Sequence, residues 1–274
     1  MQENARKYGF ELGEFSVATL LAGTRTGENP QDTFGMNVSP EQFAEISEAN
    51  FIPADKGQFF FTPTVVSTGS EIVLFDTGLD AAGITGPLNE AGIAPEDVSI
   101  VVLTHMHGDH IGGLTRDDGS PTFANARYVT GRTEFDAWAK MDDEGFEAKV
   151  RPLAEKMTFI GDGDSVVSGI TGMAAHGHTP GHMVYMLESG SERLLLTADT
   201  ANHYVWSLAY PDWEVRFDMD KRQAAATRKE VFGMLAAERV PFIGYHMPFP
   251  GIGFVETRGE SGFRYVPTSY QMMI

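Results

Sequence analysis

The stretch Ser99-Ile-Val-Val-Leu-Thr-His-Met-His-Gly-Asp-His110 decides the fold and the chemistry together. Ser99 to Leu103 is a continuous apolar run, which marks a strand covered on both faces. Directly after it, His105, His107, Asp109 and His110 fall within six residues. His105 and His107 have strand-like spacing and project to one side. Asp109 and His110 follow on the turn, ahead of a helix expected near Ile111-Gly-Gly-Leu114. Such a loop aims four ligands into one cavity mouth. Three imidazoles and a carboxylate suit a borderline divalent ion, with zinc first and Mn, Co or Fe also accepted. A solvated, histidine-rich loop is the plainer alternative, but four ligand-type residues behind an apolar strand are not a lone surface histidine.

Outward from this stretch, strands and helices alternate. Phe15 to Leu21 reads as a strand, and Phe59 to Ser67 with Glu71 to Phe75 read as a hairpin joined by Thr68-Gly69-Ser70. Gly83 to Gly92 reads as a short helix. Ala126 to Thr130 reads as a strand followed by a helix from Arg132 to about Lys140. Met183 to Leu187 and Arg193 to Leu196 form a further strand pair. Lys221 to Arg239 is the clearest helix, with Val231, Leu235 and Ala236 on its apolar face, and Pro241 to Tyr245 is a last buried strand. Thr24 to Ala54 has weak periodicity and reads as a long functional loop, with some helix near Pro40 to Ala49. The mixture implies an α/β or α+β class. No linker divides residues 1–274, so one domain is expected. One internal echo stands out: Glu71-Ile-Val-Leu-Phe-Asp76-Thr and Arg193-Leu-Leu-Leu-Thr-Ala-Asp199-Thr each end an apolar run on Asp-Thr.

Ligand-type residues recur at the ends of the apolar runs. Ala175-His176-Gly-His178-Thr-Pro-Gly-His182 offers His182, which follows a turn and precedes a strand. A hydrogen-bonded loop histidine is the alternative for both His176 and His178, and the preferred reading for His176. Asp199 closes one apolar strand and His246 another. A carboxylate buried at a strand end needs a partner. Five histidines and two aspartates exceed the three ligands and one water of a single catalytic zinc. Seven ligands fit two ions about 3.5–4 Å apart, sharing Asp199 and a hydroxide.

Composition narrows the function classes. The chain has 274 residues, 42% hydrophobic and 21% charged, as in ordinary globular proteins. With 20 Lys and Arg against 38 Asp and Glu, the net charge is -18, so nucleic acid and membrane surfaces are disfavoured partners. The absence of cysteine removes disulfides, thiolate metal sites and a cysteine nucleophile. The N-terminus carries no apolar signal-like segment, so the simplest location is cytoplasmic, with a signal already trimmed as the other option. A homodimer enters as an option, with Trp206 or Trp213 as candidate exposed aromatics.

The segment THMHGDH, then GHTPGH, then an aspartate behind an apolar strand, then a late histidine, resembles the metallo-β-lactamase-fold hydrolase superfamily. Its tail, from Tyr245 to Phe254 and Gly262 to Tyr270, is similar to the branch of methyl parathion hydrolase and some N-acyl homoserine lactonases. The resemblance implies an αββα sandwich of two mixed sheets. It implies two zinc ions: His105, His107 and His182 on the first, Asp109, His110 and His246 on the second, and Asp199 between them. Asp76 in Asp-Thr-Gly78 would support the ligand loop from behind, with His178 as further support. A tyrosine that many lactonases carry three residues after the bridging aspartate is replaced by Asn202. His203, Tyr204 and Phe249 are the weaker pocket candidates.

Zinc lowers the pKa of bound water from 15.7 to about 7. The resemblance therefore implies attack by a metal-bridging hydroxide, with Asp109 passing a proton to the leaving group. The aromatic, cation-poor segments around Asn202 to Trp206 and Met247 to Phe254 suggest a small neutral hydrophobic substrate: an acyl lactone first, an aryl ester or phosphotriester next. A glyoxalase II-like thioesterase would need cations for an anionic peptide and a C-terminal helical domain. A persulfide dioxygenase would use one iron and leave the second site empty.

Overall fold

The protein is described by a computed structural model covering residues 5–259 and 262–272. Strands β1 (Lys7–Leu12) and β2 (Phe15–Leu20) form a hairpin. Next, β3 (Gly23–Glu28) and β4 (Lys56–Phe61) pair as a separate ribbon that encloses helix α1 (Pro40–Ala49) in sequence. Then β5 (Thr64–Ser67), β6 (Ile72–Phe75), helix α2 (Ala81–Glu90), β7 (Ile100–Leu103) and the short helix α3 (Gly108–Ile111) follow. The first half ends with β8 (Arg127–Gly131), helix α4 (Arg132–Trp138) and β9 (Met157–Ile160). The second half has β10 (Ser165–Val167), β11 (Ile170–Ala174), β12 (Met183–Ser189), β13 (Glu192–Ala198), helix α5 (Lys221–Glu238), β14 (Phe242–Gly244), β15 (Ile252–Arg258) and β16 (Gly262–Pro267).

Two seven-stranded sheets result, ordered β1-β2-β5-β6-β7-β8-β9 and β10-β11-β12-β13-β14-β15-β16. Both are mixed: β6 to β9 run parallel, as do β13 and β14. Their facing sides share one core, including Val73, Val102, Val129, Tyr185, Leu196 and Ile243. The outer face of the first sheet packs Ile84 and Leu88 of α2, and that of the second packs Val231, Phe232 and Leu235 of α5. This is the αββα arrangement. The β7 run is buried at every position, as its unbroken apolar sequence requires. No described helix is long and apolar enough to cross a membrane.

Three expectations change. Phe59 to Ser67 is not one strand: β4 pairs with β3, while β5 pairs with β2 and β6, and the break falls at Thr62-Pro63. Proline has no N–H to continue a ladder. Gly23 to Glu28, inside the segment expected as loop, is a strand. Most of its residues are exposed, so it shows no apolar alternation. Trp206 and Trp213 are buried rather than exposed. They stack on Phe43 of α1 at 5.0 and 5.6 Å and so anchor that helix instead of marking a dimer surface.

Candidate metal centre

The loop after β7, the turn between β11 and β12, and the ends of β13 and β14 converge at one end of the sandwich. Ring nitrogens of His105, His107 and His178 cluster there, with His105 Nε2 to His107 Nδ1 at 3.1 Å and His107 Nδ1 to His178 Nε2 at 3.0 Å. Asp109, His110 and His246 form a second group, with His246 Nε2 3.3 Å from Asp109 Oδ2. Asp199 lies between the groups. Its Oδ2 is 3.3 Å from His178 Nε2 and 3.1 Å from His246 Nε2, and its Oδ1 is 3.1 Å from His110 Nε2.

Behind the ligand atoms, the rings of His105, His110, His178 and His246 are held by their other nitrogen, which orients them. His110 Nδ1 donates to Asp76 Oδ2 at 2.8 Å, and His246 Nδ1 donates to the Phe60 carbonyl at 2.8 Å. Thr104 Oγ1 donates to Asp76 Oδ2 at 2.9 Å, so Thr104 Oγ1 in turn accepts from His105 Nδ1 at 3.0 Å. Asp76 thus orients two rings, one directly and one through Thr104. It does so from a left-handed backbone, φ 60°, of the kind that collects at functional turns.

The structure exchanges the roles expected for His178 and His182. His182 Nε2 accepts the backbone N–H of Asp199 at 3.1 Å, and its Nδ1 donates to the Ala175 carbonyl at 3.0 Å. Both nitrogens are spent, so His182 has no lone pair for an ion. It ties the loop to the end of β13. His178 takes the place in the cluster, and its Nδ1 donates to Asp218 Oδ1 at 2.9 Å. Asp218 is fixed in turn by Arg228 Nη2 at 2.8 Å. His176 stays outside the cluster, half-buried.

Three supporting residues were not singled out from sequence: Asp218, Arg228 and Glu134. Glu134 Oε1 accepts from Met106 N at 3.1 Å, and its Oε2 accepts from Thr179 Oγ1 and Gly181 N, both at 2.8 Å. One buried carboxylate therefore staples the two ligand loops. Gly181 is needed for this approach, since a Cβ there would stand 2.1 Å from Glu134 N. No motif announces Glu134. It is a buried acidic residue in a helix whose Arg132, Thr133 and Asp136 are exposed, so nothing in the sequence sets it apart from them.

The electrostatics match the geometry. Burial drives His105 well below the ordinary imidazole range and His107 down to about 3, so both keep free lone pairs at neutral pH. Burial also opposes charge on His178 and His246, but Asp199 with Asp218 or Asp109 outweighs it, to about 9 and about 10. His110 is raised in the same way, by Asp199, Asp76 and Asp109. His110 Nε2 and Asp199 Oδ1 are buried without a hydrogen-bond partner although 3.1 Å apart. Unpaired lone pairs converging within 4.8 Å fit divalent cations.

A cavity of about 420 Å³ opens over the cluster. Phe59, Phe61, Leu79 and Phe217 wall it, with Asn202 beside Asp199. Arg25 and Glu28 from β3 also reach it, so the wall is not free of cations, as the flanking segments alone had suggested. His203 and Tyr204 line a separate hollow of about 260 Å³ that shares His246. Phe249 lines neither; Pro248 does instead.

Residues 62–242 match the family model of the metallo-beta-lactamase superfamily, and the chain belongs to that superfamily. Among its relatives is an N-acyl homoserine lactonase of Bacillus sp, 31% identical over 119 residues, or 43% of this chain and 44% of that protein. A probable metallo-hydrolase of Bacillus subtilis, YybB, is 28% identical over 49% of this chain and 59% of its own length. The chain thus spans less than half of the curated lactonase it matches. In structure it is similar to AidC, a dizinc quorum-quenching lactonase, with TM-score 0.89 and 25% identity over 98% of this chain and 100% of that one. The hydrolase AbOPH shares the fold at TM-score 0.89 and 24% identity.

Proposed function

We propose that this protein is a metal-dependent hydrolase that cleaves a neutral, hydrophobic ester, an acyl lactone first and an aryl ester or phosphotriester second. The observation that carries the reading is the ligand cluster with Asp199 between two histidine-rich groups, at an aromatic-walled cavity. His105, His107 and His178 would hold one ion and Asp109, His110 and His246 a second, with the Asp199 carboxylate lying between the two groups. Zinc ions bound there would supply a Lewis acid for the carbonyl and an activated water at neutral pH. The remaining work belongs to the chain. Asp109 borders the cavity and is held ionised, down to about 2, because His110 and His246 outweigh its burial. Its carboxylate accepts a proton from the attacking water and returns it to the leaving alkoxide. Phe59, Phe61 and Leu79 exclude water from the acyl chain. The walls offer Arg25 offset by Glu28, too little positive charge to hold an anionic peptide.

The test is a panel of zinc-reloaded protein against lactones of rising acyl length, an aryl ester, a phosphotriester and an anionic glutathione thioester. Rates that rise with acyl length support the reading, and a clear preference for the thioester sinks it. Asp109→Asn is expected to lower kcat by ~10²–10⁴ with KM little changed.

A further inference from the structure

The hollow beside the ligand cavity contains a hydrogen-bond donor that has no partner among the described residues. His203 is 8% exposed and lies flat on Trp206, with ring centroids 4.1 Å apart and 15° between planes. It caps the helical turn Tyr204–Ala209, so Nδ1 accepts the backbone N–H groups of Val205 and Trp206, both at 3.1 Å. A nitrogen that accepts twice carries no proton. The neutral ring must then carry its proton on Nε2. Among the described residues Nε2–H has no hydrogen-bond partner, and the ring lines the 260 Å³ hollow. Burial keeps the ring from charging, down to about 3. The donor is therefore neutral, fixed in direction and present at any ordinary pH.

We propose that His203 donates this hydrogen bond to a carbonyl oxygen of the substrate, the amide carbonyl of an N-acyl group, seated in the hollow next to His246. The proposal rests on the lactonase reading and adds the substituent that the enzyme selects. Ile52, Pro53, Phe60 and Trp206 give the hollow an apolar lining. Thr26, Lys56, Gln58 and Tyr204 also line the hollow, but the His203 donor lies against the Trp206 ring and is uncharged, which favours a neutral acceptor at that point. A plain alkyl chain would leave Nε2–H unpaired, and a site built to bond a polar group discriminates against the analogue that lacks it.

His203→Asp tests the idea, because aspartate is a favoured N-cap and, when ionised, keeps the acceptor while carrying no donor. Zinc-loaded wild type and variant are compared on an N-acyl amino lactone and an alkyl lactone of equal length. The ratio of the two kcat/KM values is expected to fall about three- to tenfold, through KM for the N-acyl lactone. An unchanged ratio overturns the proposal. Nitrogen-15 NMR of the wild type is the second measurement. The His203 ring should show the Nε2–H tautomer from about pH 5.5 to 9. In zinc-free protein its Nε2 resonance should move with the N-acyl lactone and not with the alkyl lactone. A ring that titrates near its ordinary value of about 6.5, or that carries its proton on Nδ1, overturns the proposal. If neither lactone is hydrolysed, the lactonase reading falls and the resonance alone decides: a shift with the N-acyl lactone supports the donor, and no shift ends it.

Discussion

The two halves of the sandwich each end an apolar strand on an aspartate, and the two aspartates meet at one imidazole. Asp76 follows β6 and lies 2.8 Å from His110 Nδ1; Asp199 follows β13 and lies 3.1 Å from His110 Nε2. Both strands run parallel to a neighbour, β6 with β7 and β13 with β14. What differs is the company. Asp76 has both oxygens occupied by protein donors, namely Thr104 N, Thr104 Oγ1 and His110 Nδ1. Asp199 receives a donor from Asn202 Nδ2 on Oδ2, while its Oδ1 has no hydrogen-bond partner and faces His110. The positive φ also shifts, from Asp76 itself in the first half to Ala198 in the second, where the β13–β14 register slips. One local pattern thus yields an organiser in one sheet and a ligand-type carboxylate in the other. The donors supplied by the neighbouring loop decide which.

The largest effect should separate these two. Asp199→Asn removes the charge shared by both ligand groups, and elemental analysis should find both metals reduced and lactone turnover down by more than about 100-fold. Asp76→Asn leaves every ligand in place but loosens His105 and His110. Losses of ~10–100-fold in metal affinity or activity are typical for such partners. Equal losses in the two variants would break the comparison.

A smaller contrast lies within the second half. His178→Ala should empty one metal position while the protein stays folded. His182→Ala should keep the metal count and instead lower stability by about 1–3 kcal/mol, because the Asp199 N–H and the Ala175 carbonyl lose their partner. Thermal unfolding with metal analysis on both variants distinguishes the roles. A metal count that falls with His182 and not with His178 would restore the assignment drawn from the motif.

That exchange shows what the sequence makes legible. The β7 run and the His105–His110 loop could be read because an unbroken apolar strand has few alternatives and four ligands are contiguous. Helix α5 carried its own periodicity, whereas α1 lies in a weakly periodic segment and is fixed by its cap, Ser39 accepting from Gln42 N ahead of Pro40. His178 and His182 flank the same Thr-Pro-Gly turn, and which ring faces the cluster depends on backbone direction, which residue identity does not encode. Strand β3 was hidden because its faces are largely solvated. Glu134 was hidden because its partners sit 28, 45 and 47 positions away, so only tertiary packing selects it.

The smallest expected effect concerns protons, and it sharpens the contrast between a carboxylate satisfied by the protein and one balanced by charge. In metal-free protein, Asp199 draws protons onto His178 and His246, which titrate at about 9 and about 10 despite their burial. Both values exceed the unfolded value of about 6.5. The stability they contribute is therefore complete below about pH 6.5 and is lost as pH rises through about 9 to 10. The metal-free protein should lose Tm steadily from about pH 7 to 10. Zinc competes for the same lone pairs, so the zinc-loaded protein should hold its Tm over that range. Uptake of zinc near pH 7.5 must then expel protons, about two from His178 and His246 together, with His110 adding to them. Titration calorimetry in buffers of different ionisation enthalpy counts them. A metal-free Tm that is flat with pH, together with no proton release, would show that Asp199 is not balanced by these imidazolium charges. Asp199 would then be satisfied as Asp76 is, and the difference between the halves would have to come from elsewhere.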